Sequence, residues 1–275
     1  MWTTLFDALG TAVRIEADAS LAGPLQEVFG TFAEASGPPS LDYLIACGGG
    51  EWRLWRGEAL VTFSVEPLEL VACLEGDLLE RLLERSSGWC LHAAVVGDDR
   101  GALVLAGDSG AGKSTLAQSL VARGMRYLSD ERALIAPSLQ VRGLLRPIGI
   151  DPDSVARLPR GARLFDYPAA RAERRSSRLV HPPADRREPG ALPLRRLVLL
   201  SHAPQRAPEV RELSPGEALQ LLWAHSIRPG KGAWGIALEV VRRVRAAALV
   251  TRGVEEACQH LEELLQADSS TPTVR

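Results

Sequence analysis

The chain has 275 residues, 46% hydrophobic and 24% charged, and its 32 cationic and 34 anionic side chains leave a net charge of −2. That composition excludes disordered, collagen-like and coiled-coil chains, and no overall charge draws the protein toward nucleic acid or an anionic membrane. The cations are 30 Arg and two Lys, Lys113 and Lys231, and Asn is absent.

In chain order, residues 11–17 (TAVRIEA) alternate as a strand and residues 21–34 carry helical spacing. Two short apolar runs, 43–47 and 60–65, flank a glycine-rich turn with Trp52 and Trp55. After Pro67, LELVACLEGDLLERLLER places Leu and Val on one helical face and Glu and Arg on the other. These elements form a small N-terminal α/β region over residues 1–86. A larger domain follows over residues 87–275.

From Trp89 the pattern becomes apolar strand, turn, apolar strand, glycine loop and helix (LHAAVVGDDRGALVLAGDSGAGKSTLAQSLVARG). Residues 126–129 and 131–136 continue as strands, with a turn at Pro137-Ser138. Residues 157–196 hold eleven Arg, four acids and six Pro, a solvated insertion or a flap for an anionic substrate. Residues 194–201 predict a central strand, Ser214 to Ser226 a helix opened by a capping box, 245–250 a strand and 253–266 a last helix. The tail from Asp268 is expected to fray.

Cys47, Cys73, Cys90 and Cys258 form no CxxC pair and have no His at metal-ligand spacing, so they are expected to be buried thiols. The N-terminus has no charged stretch followed by an apolar run, and no segment nears the roughly 20 apolar residues of a spanning helix. A cytoplasmic protein without a membrane partner is the expectation.

Gly107, Asp108, Ser109, Gly110, Ala111, Gly112, Lys113 and Ser114 satisfy G-x-x-x-x-G-K-[ST] between a strand and a helix. Glycines let successive N–H groups point into one concavity, a helix N-terminus adds its positive end, Lys113 reaches β- and γ-phosphates, and the Ser114 hydroxyl can ligate Mg²⁺. This predicts nucleoside triphosphate binding. Past it, Asp130 and Glu131 end a strand; a carboxylate there holds Mg²⁺, accepts the proton of an attacking hydroxyl, or only caps the strand.

The strings LHAAVV, GDSGAGKSTLA and RGMRYLSDE resemble the HPr serine kinase/phosphorylase family, and more closely its shorter HPr-kinase-related members, including those beside ribosomal-peptide gene clusters. The likeness covers about residues 88–150. It implies an α/β fold with a P-loop nucleotide-binding sheet of the phosphoenolpyruvate-carboxykinase-like kind and flanking helices. It implies that Gly107 through Thr115 bind ATP and that Asp130 activates a Ser hydroxyl of a small protein or peptide. Ser114, Glu131 and Asp130 would hold Mg²⁺, and His92 would lie near the γ-phosphate. LLRPIGI and IRPGKG resemble two further family strings, which makes Arg146, Arg228 and Lys231 candidate phosphate or substrate contacts. Leu144 stands where the bifunctional enzymes have Glu, so phosphorylase activity is not expected. A homo-oligomer is compatible with the family. The other histidines, at 181, 202, 225 and 260, are assigned structural roles.

A GTPase base-reading NKxD motif and a protein-kinase HRDxxxxN loop both need Asn, so neither exists here. The expected activity is an ATP- and Mg²⁺-dependent kinase acting on a hydroxyl, with a small-metabolite kinase and a non-catalytic ATP-binding regulatory module as alternatives. No nucleic-acid partner is expected.

Overall fold

A computed structural model of the chain describes residues 1–150, 164–167, 177–203 and 205–270. They form a mixed α/β structure that divides into two compact units: Met1–Ser87 with Leu144–Pro189, and Gly88–Gly143 with Gly190–Arg275.

The first unit holds a six-stranded sheet built from β1 (Trp2–Ala8), β2 (Thr11–Ala17), β3 (Ala33–Glu34), β4 (Leu41–Gly48), β5 (Glu51–Arg56) and β6 (Ala59–Ser64), in the order β3-β1-β2-β4-β5-β6. The alternation of β2 and β4 buries Val13, Ile15, Tyr43 and Ile45 in a core shared with α1 (Ala22–Phe29) and α2 (Pro67–Arg85). In α2, Pro67 opens the helix, and Leu70, Leu74, Leu78 and Leu82 recur at helical spacing on its buried face. Asp77 of α2 accepts hydrogen bonds from Tyr43 Oη (2.8 Å) and Arg56 (2.5 and 2.7 Å), tying the helix to β4 and β5.

Several expectations change here. Cys47, in the exposed end of β4, and Cys73, off the buried face of α2, are exposed, and only Cys90 and Cys258 are buried thiols. The predicted 21–34 helix stops at Phe29, and the Thr31 hydroxyl turns inward to donate to the Leu145 carbonyl at 2.6 Å. Trp52 and Trp55 lie on β5, because EWRLWR alternates; only residues 49–50 make the turn. Residues 144–189, assigned by sequence to the larger domain, group with the first unit, since Leu144 and Leu179 enter its core. Their described part includes a small sheet of β12 (Ile148–Ile150), β13 (Leu164–Tyr167) and β14 (Ser177–Val180) in the order β12-β14-β13. The rest of the basic stretch before residue 177 lies outside the described residues.

The second unit is organised on an eight-stranded sheet of β7 (Trp89–Asp98), β8 (Gly101–Ala106), β9 (Arg126–Ser129), β10 (Arg132–Ile135), β11 (Gln140–Gly143), β15 (Leu192–His202), β16 (Glu209–Leu213) and β17 (Arg245–Thr251). The order is β11-β10-β7-β8-β15-β17-β16, with β9 also paired to β7. The run β8-β15-β17 is parallel, which its near-continuous apolar residues suit, because both faces are covered by helices. These are α3 (Lys113–Ala122), α4 (Pro215–Trp223), α5 (Ala233–Arg243) and α6 (Val254–Ser270). The capping box at Ser214 and Glu217 forms as predicted. Sequence reading missed β16 and α5; the latter buries Ile236, Ala237, Val240 and Val241 at helical spacing. Among the described residues no helix is long and apolar enough to cross a membrane.

Two glycines test this packing in opposite directions. On Gly143 a Cβ would stand 2.4 Å from the Leu128 carbonyl oxygen, whereas on Gly76, exposed in the middle of α2, it would meet nothing within 4 Å. Gly143→Ala is expected to lower the unfolding free energy by about 2–4 kcal/mol. Gly76→Ala should raise it by about 0.5–1 kcal/mol. Urea denaturation measures both, and equal stabilities would contradict the tight approach of β9 to β11.

Candidate active site

The site is built where β8 ends. Ala93 of β7 pairs with Ala106 of β8, and the chain then leaves the sheet as the glycine loop. Gly107 is required by close approach, for a Cβ there would lie 2.4 Å from the Leu200 carbonyl oxygen of β15. Gly110 and Gly112 adopt φ of 82° and 88°, left-handed values that glycine takes without strain. The turn closes with Ala111 N–H donating to Asp108 C=O at 3.1 Å, and α3 begins as Leu116 N–H donates to Gly112 C=O at 2.8 Å. The first-turn amides and the positive helix end therefore stand over the carboxyl-terminal end of a parallel strand, where α/β sheets bind ligands.

Lys113 opens α3 and is only 7% exposed. Its Nζ donates to the carbonyls of Gly107 (2.7 Å) and Asp108 (3.0 Å), so the loop holds its own ammonium inside its curve. Burial is the main cause that moves its pKa below 10.5, against the carboxylates of Asp108, Asp130 and Glu131, which favour the charged form. Ser114 and Thr115 follow in the first turn, half-buried, while Asp108, Ser109 and Gly110 are exposed.

The two carboxylates sit between β9 and β10. Asp130 is 7% exposed and accepts a hydrogen bond from Tyr127 Oη at 3.0 Å. Buried Ser129 accepts from the N–H groups of Glu131 (3.2 Å) and Arg132 (3.0 Å), fixing the turn. Glu131 pairs with Arg132 at 3.1 Å, a cation next to the site that sequence reading did not single out. Among the described residues no cluster of three or more His, Cys, Asp and Glu could hold a metal. Ser114 and these carboxylates have the hard oxygen donors that could hold a Mg²⁺ ion whose coordination is completed by water and phosphate.

His92 lies at the level of the loop on β7, opposite Arg132 of β10, with its N–H donating to the His225 carbonyl at 2.8 Å. Burial, then the charges of Lys113 and Arg132, push its pKa below 6.5. His225, assigned by sequence to a structural role, proves to be a neighbour of this site. Burial lowers its pKa too, and Asp108 and Lys113 both act on it. No sequence motif marks it; only the pairing of residues 225–227 with β7 reveals it.

The remaining candidates lie on the α4–α5 loop and in the first unit. Arg228, with φ of 40°, and Lys231 are exposed in the loop between α4 and α5. Arg146 belongs to the first unit, where it pairs with Glu75 of α2 at 3.3 Å.

No protein-family model matches this chain, and no curated protein matches it. Among solved structures it is similar to the Hpr(Ser) kinase/phosphatase from Coxiella burnetii, with 13% identity over 65% of this chain and 94% of that one, at a TM-score of 0.31. A likeness at that score carries no argument about the site.

The lowered pKa of His92 has a consequence for stability. The unfolded chain takes up its proton near pH 6.5 and the folded chain only at lower pH, so stability falls as pH drops below about 6.5. Thermal unfolding of wild type and His92→Gln at pH 7.5 and 5.5 should show a smaller acid loss in the variant; equal losses would contradict the assignment.

Proposed function

We propose that the second unit binds ATP with Mg²⁺ on the 107–115 loop and transfers a phosphoryl group to a hydroxyl, a Ser of a small protein or peptide. The observation that carries the reading is the nearly buried Lys113 ammonium, held by the carbonyls of its own glycine loop and under the influence of Asp130 and Glu131. An ammonium so held has already lost most of its water, and phosphate oxygens complete its coordination at little further desolvation cost. The sheet then acts as a P-loop sheet of the phosphoenolpyruvate-carboxykinase-like kind.

When bound, Mg²⁺·ATP supplies the phosphoryl group and the cation that neutralises its charge. Ser114, with Asp130 or Glu131, holds the metal, and the amides of residues 110–114 with Lys113 hold the phosphates. Asp130 receives the proton of the attacking hydroxyl. Tyr127 fixes that carboxylate in position through the 3.0 Å hydrogen bond. His92 faces the loop as a neutral imidazole at pH 7, since its lowered pKa disfavours the charged form. The absence of Asn favours ATP over GTP for this loop.

Incubation with γ-labelled ATP, Mg²⁺ and Ser-containing peptides tests the reading. Label should appear on an acceptor and fall about 10²–10⁴-fold in Asp130→Asn. In Lys113→Ala it should fall at least about 10²-fold. Asp130→Asn should still bind nucleotide. Wild type that binds nucleotide yet yields neither labelled acceptor nor ADP would replace the kinase with a regulatory ATP-binding module.

A further inference from the structure

We infer that His225 is a second imidazole of the phosphate site, seated beside Lys113 to contact the terminal phosphate of a bound nucleotide. The inference deepens the reading above and rests on it.

The geometry follows from how β7 is shared. On one side β7 carries β10 at residues 89–92 and β9 at residues 95–97; on the other it carries β8 at residues 93–98. At Ala106 β8 ends, and from there the place beside β7 passes to residues 225–227. An antiparallel bridge joins Leu91 to Ser226, with His92 N–H donating to His225 C=O (2.8 Å) and Ile227 N–H donating to Cys90 C=O (2.9 Å). His225 therefore occupies the strand position that the glycine loop leaves free.

Register fixes which way its side chain goes. Trp89, Leu91, Ala93 and Val95 of β7 lie in the core cluster that includes residues of α4 and α5, and Trp89 Nε1 reaches the Ser226 hydroxyl at 2.7 Å on that same face. Alternation sends His92 to the opposite face, the face of α3 and the glycine loop, and residues directly opposite on antiparallel strands share a face. His225 is opposite His92, one step beyond the Leu91–Ser226 pair, so both imidazoles point to the loop side, and Arg132 joins them from β10. The row Arg132, His92, His225 runs across three strands toward the loop. The lowered pKa of His225, from burial, with Asp108 opposing and Lys113 adding to the shift, agrees with this placement.

The charged and titratable groups around His225 are His92 on β7, Asp108 in the loop and Lys113 on α3, with Arg132 one strand further and Arg228 and Lys231 on its own loop. Without ligand, burial keeps a proton off His225, with Asp108 favouring the proton and Lys113 opposing it. Terminal phosphates bring several negative charges to the Lys113 end of the loop and offset the effect of burial, so the imidazole takes up a proton as the triphosphate binds. Affinity for a triphosphate should then rise as pH falls from 8 to 6, and affinity for a diphosphate should rise less.

The test uses the full chain with Mg²⁺ and either a non-hydrolysable ATP analogue or ADP, in wild type and His225→Gln, at pH 6 and 8. We expect His225→Gln to bind the analogue about tenfold more weakly at pH 6, to lose ADP affinity less than about threefold, and to flatten the pH dependence. Diethylpyrocarbonate labelling of wild type, read by peptide mass, gives a measurement that needs no variant: the analogue should protect His225 from modification. A folded His225→Gln with wild-type affinity for both nucleotides, or His225 labelled equally with and without analogue, overturns the inference while leaving the nucleotide reading standing. Wild type that binds neither nucleotide at either pH overturns both.

Discussion

A nearly buried ammonium is the constraint on which the second unit depends. Lys113 is drawn out of water at the first position of α3, which is unfavourable unless donors and charges around it are satisfied. Two loop carbonyls accept hydrogen bonds from it, and three carboxylates oppose the effect of burial. Gly107, Gly110 and Gly112 permit the backbone path that turns those carbonyls inward, and Gly107 also lets β15 pass within contact of the loop. Arginine is not an equivalent here, because its planar guanidinium fork differs in shape from the compact ammonium that these two carbonyls hold.

The rest of the site is arranged by β7. As the central strand it receives β8 and the 225–227 segment on one side, β9 and β10 on the other, so His92, His225, Arg132 and the Asp130-Glu131 turn are all positioned by one element. Trp89 anchors the same arrangement from below, stacked 6.2 Å from Trp223 and hydrogen-bonded to Ser226. Under the proposed function rigidity there would serve the chemistry, since transfer of a phosphoryl group is mostly positioning and charge stabilisation.

What the sequence made legible is what local backbone chemistry encodes. The glycine loop announces itself because left-handed positions demand glycine and the lysine follows at once; Asp130 is visible because an apolar strand ends in an acid. The α2 helix, the capping box at Ser214 and the central strand at 194–201 declare themselves by periodicity and capping. His225 is invisible to such reading, because its partner His92 is 133 positions earlier and only pairing across the sheet joins them. The ion pair of Arg146 with Glu75 is likewise a contact no local pattern foretells. The N-terminal strand β1 is hard to read because WTTLFDA does not alternate, and the edge strand β16 because EVREL is short and mostly charged.

The two lysines make the central claim directly measurable. Selective isotope labelling of lysine gives two side-chain resonances, and Lys231→Arg leaves Lys113 alone. Without ligand its pKa should lie below the ordinary 10.5, and saturating Mg²⁺ with a non-hydrolysable ATP analogue should shift the resonance and raise that pKa as phosphates gather around the ammonium. A Lys113 resonance that titrates normally and does not move with the analogue would contradict the account.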